Sequence, residues 1–106
     1  MKDGKATITG YSGKDTYIVI PTHIDGYEVE RIGESAFAYS KISTVIICEG
    51  IKEIDWFAFY ACPSLTSVTL PKSINSIGYA AFDGASSNFT VFCSEGSFAY
   101  DFVKSY

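Results

Sequence analysis

The apolar residues of this chain fall in short runs that recur at a nearly fixed spacing. Displaced by 23 positions, Ile42 falls on Leu65, Val45 on Val68, Ile47 on Leu70, Ile51 on Ile74, Ile54 on Ile77, Ala58 on Ala81 and Phe59 on Phe82. Displaced by 22, Val29 falls on Ile51, Ile32 on Ile54, Ala36 on Ala58 and Phe37 on Phe59. Ile18 and Ile20 stand 27 positions before Val45 and Ile47, so five extra residues lie between Ile20 and Val29. The simplest place for them is the loop His23-Ile24-Asp25-Gly26-Tyr27, where Asp-Gly is a turn signal. Val91 and Cys93 stand 23 beyond Val68 and Leu70 and open a last, incomplete copy.

Each copy reads as the same small unit. An alternating segment such as Val68-Thr69-Leu70 has the period of a strand. Pro21 and Pro71 end two of these strands, because proline donates no ladder hydrogen bond. An apolar pair three apart follows (Ile51/Ile54, Ile74/Ile77, Val29/Ile32), then an Ala-Phe pair in a short helical or 3-10 return segment. Gly33 and Gly78 precede two of those pairs and Asp55 the third, which predicts a left-handed corner there. One such unit cannot bury its own apolar side, so the units must stack about 4.8 Å apart and pair their strands in parallel. The predicted fold is an α/β solenoid with one parallel strand and one short return segment per coil of about 23 residues. Like residues then line up. Ile18, Val45, Val68 and Val91 form one inward column, Ile20, Ile47, Leu70 and Cys93 a second, and Phe37, Phe59 and Phe82 a third from the opposite wall.

Bare coil ends expose core and sheet edge, so caps are expected. Residues 1–20 read as an N-terminal cap and first strand, with Lys5 to Thr9 and Tyr17 to Ile20 forming a hairpin. Repeats at 17–41, 42–64 and 65–87 follow. Residues 88–106 read as a closing repeat in which Ser97 caps a final short helix carrying Ala99, Phe102 and Val103 inward. All 106 residues form a single domain.

Composition narrows the function. With 8 Lys+Arg against 12 Asp+Glu the formal net charge is −4, which argues against a nucleic-acid partner. No apolar run reaches the roughly 18–20 residues of a membrane span, so no membrane insertion is expected. Met1-Lys2-Asp3-Gly4 has no apolar segment of the kind that opens a signal peptide. A chain that is 47% hydrophobic has material for a packed core.

The run Leu65-x-x-Val68-x-Leu70-Pro71, then Ile74-x-x-Ile77-Gly78, then Ala81-Phe82, resembles the BspA-like, or Treponema-type, leucine-rich repeat. The opening Ala6-Thr7-Ile8-Thr9-Gly10-Tyr11, with Ile20-Pro21 and Ile24-Asp25-Gly26-Tyr27, is similar to the start of such arrays. Gly96-Ser97-Phe98-Ala99 followed by Phe102 resembles their last unit. The resemblance covers essentially the whole chain and departs at Cys48, which stands where Pro71 stands one coil later, and at Asp55 in place of glycine. It implies a short right-handed leucine-rich-repeat array, an extracellular or cell-surface location, and adhesion or ligand binding rather than catalysis. A cytoplasmic location is the alternative. It transfers no functional residues, because the shared positions are structural.

Function is therefore expected on solvent-facing positions that vary between coils. Residues flanking the inward ones point to the outer, concave face of the sheet in two columns. One is Tyr17, Thr44, Ser67 and Thr90. The other is Val19, Ile46, Thr69 and Phe92, where apolar groups in a row mark a contact site; the plainer reading is that such residues suit strands. Trp56 and Tyr79, 23 apart on neighbouring coils, form a rival patch, or simply cover the rim of the core. His23 and Asp25 lack a nucleophile held against them, so no catalytic residues are assigned. Cys48, Cys62 and Cys93 have no metal-ligand spacing, and no metal or cofactor is expected. Cys48 and Cys93 lie two coils apart, about 9–10 Å, beyond the roughly 7 Å a disulfide spans. Three free thiols are expected, with Cys93 buried as a small hydrophobe. The predicted function is a non-enzymatic, monomeric binding module for a protein or glycan. The alternative is a structural spacer in a larger surface protein.

Overall fold

The structure, a computed structural model, describes residues 5–11 and 14–93. Its strands are β1 (Lys5–Ile8), β2 (Tyr17–Ile20), β3 (His23–Ile24), β4 (Tyr27–Ile32), β5 (Thr44–Ile47), β6 (Glu53–Ile54), β7 (Ser67–Thr69), β8 (Ser76–Ile77) and β9 (Thr90–Phe92). They form two sheets, in the orders β2-β5-β7-β9 and β1-β4-β6-β8, with β3 added to β4. Every pairing is parallel except that of β3 with β4. The chain is thus a parallel-strand solenoid of about four turns. Each coil runs through the four-strand sheet, then the second sheet, then a wall of turns.

The register of the four-strand sheet is the one the repeat dictates. Ile18 pairs with Val45, Val45 with Val68, and Val68 with Val91. Val45, Ile47, Val68 and Leu70 are buried, while Ile18 and Val91, at the ends of their column, are partly buried. The Phe column closes the opposite side. Phe37 and Phe59 stack with centroids 5.1 Å apart, and Phe59 and Phe82 at 5.4 Å. Tyr11 and Phe89 extend the stack at its two ends.

Four expectations need correction. First, each coil has a second short strand, so a second parallel sheet stands where a simple turn was expected. Ile32 and Ile54 pair, then Ile54 and Ile77, carrying that apolar column inward. Second, the first strand does not form a hairpin with the next. β1 pairs parallel with β4, matching Ala6 to Val29 and Ile8 to Ile32. Residues Lys5 to Tyr11 are themselves part of a coil, and coil-on-coil burial of Ala6, Ile8 and Tyr11 wins over a local hairpin.

Third, the return segments are not helical, and no helix occurs among the described residues. In the first two segments alternate amides bond to the next coil instead of back along the chain. The amides of Ser35, Phe37 and Tyr39 donate to the carbonyls of Trp56, Ala58 and Tyr60 at 3.0, 2.8 and 2.8 Å. Those of Phe57, Phe59 and Ala61 donate to Tyr79, Ala81 and Asp83 at 3.1, 2.8 and 2.8 Å. An α-helix would need the same donors for its own carbonyls. The wall is therefore a hydrogen-bonded layer between coils, as the sheets are.

Fourth, the left-handed corners are not at Gly33, Asp55 and Gly78. They lie two residues later, at Ser35, Phe57 and Ala80 (φ 57°, 58° and 55°), and again at Tyr39, Ala61 and Gly84 (62°, 54° and 88°). Gly33 and Gly78 are needed for close approach instead. A Cβ there would lie 2.8 Å from the Ile8 carbonyl oxygen or 2.6 Å from the Trp56 nitrogen. The expected closing helix around Ser97 lies outside the described residues. No helix of the described residues is long and apolar enough to cross a membrane.

The five-residue insertion forms a small antiparallel hairpin, with His23 facing Glu28 and Ile24 facing Tyr27. Asp25 and Gly26 turn it with φ of 54° and 85°, the two positive values that a two-residue type I′ turn requires.

Candidate functional site

Strand alternation sends one residue in and the next out, so the inward register fixes the outward one. Tyr17, Thr44, Ser67 and Thr90 stand rung on rung, and beside them Val19, Ile46, Thr69 and Phe92. Val19 is 50% and Phe92 54% exposed. Ile46 and Thr69, between them, are half-buried by their neighbours on adjacent rungs. The outer face of this sheet is thus hydroxyl-rich along one column and, apart from Thr69, apolar along the other, with no charged side chain in either.

At the C-terminal ends of the strands an open groove of about 450 Å³ adjoins this face. Ile47, Cys48, Glu49, Thr69, Leu70, Pro71, Phe92 and Cys93 line it, and Thr69 and Phe92 belong to both groove and face. The periodicity places these residues next to one another on neighbouring rungs.

The three thiols are free. Cys62, not Cys93, is the fully buried one; its Sγ–H donates to the Phe37 carbonyl at 3.2 Å. Cys93 is half-buried. His23 lies exposed on the hairpin with Nδ1 3.0 Å from Thr22 Oγ1. Asp25 is a turn residue. Among the described residues no three His, Cys, Asp or Glu side chains converge as metal ligands would.

Charges concentrate on the outside of the second sheet. Lys5 pairs with Glu28, and Arg31 reaches Glu53 with its Nε at 2.8 Å and with a terminal nitrogen. The hydrogen bond and charge of Lys5 hold the Glu28 carboxyl below its ordinary value, and Glu28 raises Lys5 in return. Glu53 likewise raises Arg31. Burial raises the Tyr11 hydroxyl, which donates to Asp15 Oδ2 at 3.0 Å.

Trp56 and Tyr79 lie on the turn wall, 56% and 74% exposed. Trp56 packs over Gly78, whose missing side chain makes room for its ring. The Tyr79 ring meets Phe57 edge-on at 5.9 Å, Phe57 meets Tyr60 at 5.3 Å, and Tyr60 meets Tyr39 at 5.7 Å. Tyr79 is therefore part of a larger aromatic surface, and Trp56 stands one position before Phe57 on the same wall. Tyr39, Phe57 and Tyr60 escape a search along columns because their contacts run diagonally between coils.

A family described as the BspA type leucine rich repeat region matches residues 11–100, in six copies. A leucine-rich cell surface protein of Faecalibacterium prausnitzii is 34% identical, with a TM-score of 0.74 over 83% of this chain and 26% of that one. The chain thus spans about a quarter of that relative's length. A leucine-rich repeat protein of Bacteroides capillosus is 25% identical, with a TM-score of 0.57 over 86% of this chain and 88% of that one. No curated protein matches the chain.

Proposed function

Because this chain belongs to the BspA-type leucine-rich repeat family, we propose that it is a non-enzymatic binding module of a bacterial cell-surface protein. The ligand, a protein or a glycan, sits on the outer face of the four-strand sheet. The observation that carries this reading is the outward column Val19, Ile46, Thr69 and Phe92, apolar on three of its four rungs and with its two end members about half exposed. Apolar groups held in a row by a rigid ladder lose little conformational freedom on contact, so their burial adds directly to affinity. The hydroxyls of Tyr17, Thr44, Ser67 and Thr90 lie alongside as hydrogen-bonding groups.

The location rests on the surface protein that is similar over 83% of this chain. The non-enzymatic reading rests on the repeat itself, whose recurring side chains are spent on stacking.

Glycan and protein arrays probed with the wild type, Ile46→Asp and Phe92→Ala test the proposal, with thermal melts to show that each variant folds. Binding by the wild type that both substitutions weaken supports it. Equal binding by all three removes the sheet face as the site. No binding by any of them favours a structural spacer.

A further inference from the structure

The turn wall carries a second surface of different chemistry. Residues 33–40, 55–62 and 78–85 supply its three coils, and none of these stretches contains a lysine or arginine. They contain Glu34, Asp55 and Asp83 instead. Lys41 lies just past the end of the first stretch and Arg31 two residues before it, where the charge of Asp55 acts on its guanidinium. The aromatic rings are unusually open. Tyr39 is 75%, Tyr79 74% and Trp56 56% exposed, while Phe57 and Tyr60 form a half-buried floor between them. The repeat orders these groups. Glu34, Trp56 and Tyr79 occupy one column, and Tyr60 and Asp83 share another, so carboxylates stand at opposite ends of the aromatic surface. The ladder of amides between coils holds the wall rigid, from Ser35 to Trp56 at 3.0 Å and from Phe57 to Tyr79 at 3.1 Å.

We propose that the turn wall docks a basic peptide segment, whose arginine or lysine side chains stack on Tyr39, Trp56 and Tyr79 beside the carboxylates of Glu34 and Asp55. The face of an aromatic ring attracts a cation, and arginine also stacks flat on it. Carboxylates flanking the rings add attraction and raise the association rate. Rigid aromatic anchors are the residues that dominate protein contacts. This surface is independent of the sheet face, which is uncharged and lies on another wall.

The chain contains one tryptophan, and it lies in the proposed site. Titrating the full chain with a hexa-arginine peptide while following Trp56 fluorescence therefore reads the site directly. The expected result is a saturable change that weakens between about 50 mM and about 500 mM salt. Tyr79→Ala, Tyr39→Ser and Glu34→Gln should each weaken it by about 2–5-fold. Ile46→Asp, on the sheet face, should leave it unchanged. Glu34, Tyr39 and Tyr79 are exposed, and matching melting temperatures confirm that each variant is folded. Absence of a saturable change, or wild-type affinity in all three wall variants, overturns the proposal. So does saturation by a neutral hexasaccharide but not by hexa-arginine, which would make the wall a glycan site. Loss of binding in Ile46→Asp alone assigns the peptide to the sheet face and also overturns it.

Discussion

Gly78 and Gly84 are constrained by their surroundings in different ways. A Cβ at Gly78 would strike the backbone of Trp56, so Gly78→Ala should cost about 1–3 kcal/mol as an overpacked contact. Gly84 combines a positive φ with the Ala61 Cα 2.9 Å from where its Cβ would sit, and Gly84→Ala should be destabilising for both reasons. Gly10→Ala meets nothing within 4 Å and should fall within about 0.5 kcal/mol of wild type. Urea denaturation of the three variants checks the ranking. Phe59, fully buried between two stacked rings, sets the scale at the core, where Phe59→Ala should cost about 3–5 kcal/mol. The cysteines offer a check without substitution. Cys48 and Cys93 should react with a thiol reagent in the native protein, and buried Cys62 only on unfolding. Equal reactivity of all three thiols would contradict the packing of Cys62 against Phe37.

Among the elements, the hairpin of β3 with β4 is an appendage to its coil, tied by the Val29 amide to the Thr22 carbonyl at 2.8 Å. Gly26→Val places a β-branched residue at a φ of 85°, a conformation that costs an ordinary residue about 1–2 kcal/mol. Hydrogen exchange should then show protection lost at residues 23–28 and retained at Thr44–Ile47, because the four-strand sheet does not depend on the hairpin. Concerted loss of protection in both would mean that the insertion is integral to the solenoid. The return segments make the opposite point. Their Ala-Phe pairs have good helix and 3-10 signals, yet they form turns, since stacking offers their amides partners in the next coil. Such a preference is invisible in one unit read alone.

Over the whole molecule, stability should follow the one-dimensional logic of a stacked array, in which each coil is held by its neighbours. The first strand is clipped to the next coil by Lys5 and Glu28. Glu28 has a folded value below its ordinary 4.5, so this contribution is complete above about pH 4.5. It is lost as pH falls through the folded value. Urea midpoints measured from neutral to acid pH should therefore fall less steeply for Glu28→Gln than for wild type. The pair is exposed, so the difference should be small and should shrink with salt. A wild-type profile identical to that of Glu28→Gln would show that the pair contributes nothing.

The stacked order of Val45, Val68 and Val91 and of Phe37, Phe59 and Phe82 was readable from spacing alone, because any offset other than the repeat would face apolar groups with polar ones. The same register by itself places Tyr17, Val19, Ile46 and Phe92 on the outer face. Spacing carried no information about the second sheet or about the wall of turns, since two-residue strands such as Glu53–Ile54 leave too short a pattern to detect. Left-handed backbone at Phe57 and Ala61 runs against the preference of both residues, and bonds between coils impose it. The diagonal contacts that join Tyr39, Tyr60, Phe57 and Tyr79 into one surface depend on how far each coil is rotated over the last. That rotation is a property of packed coils, and no single repeat encodes it.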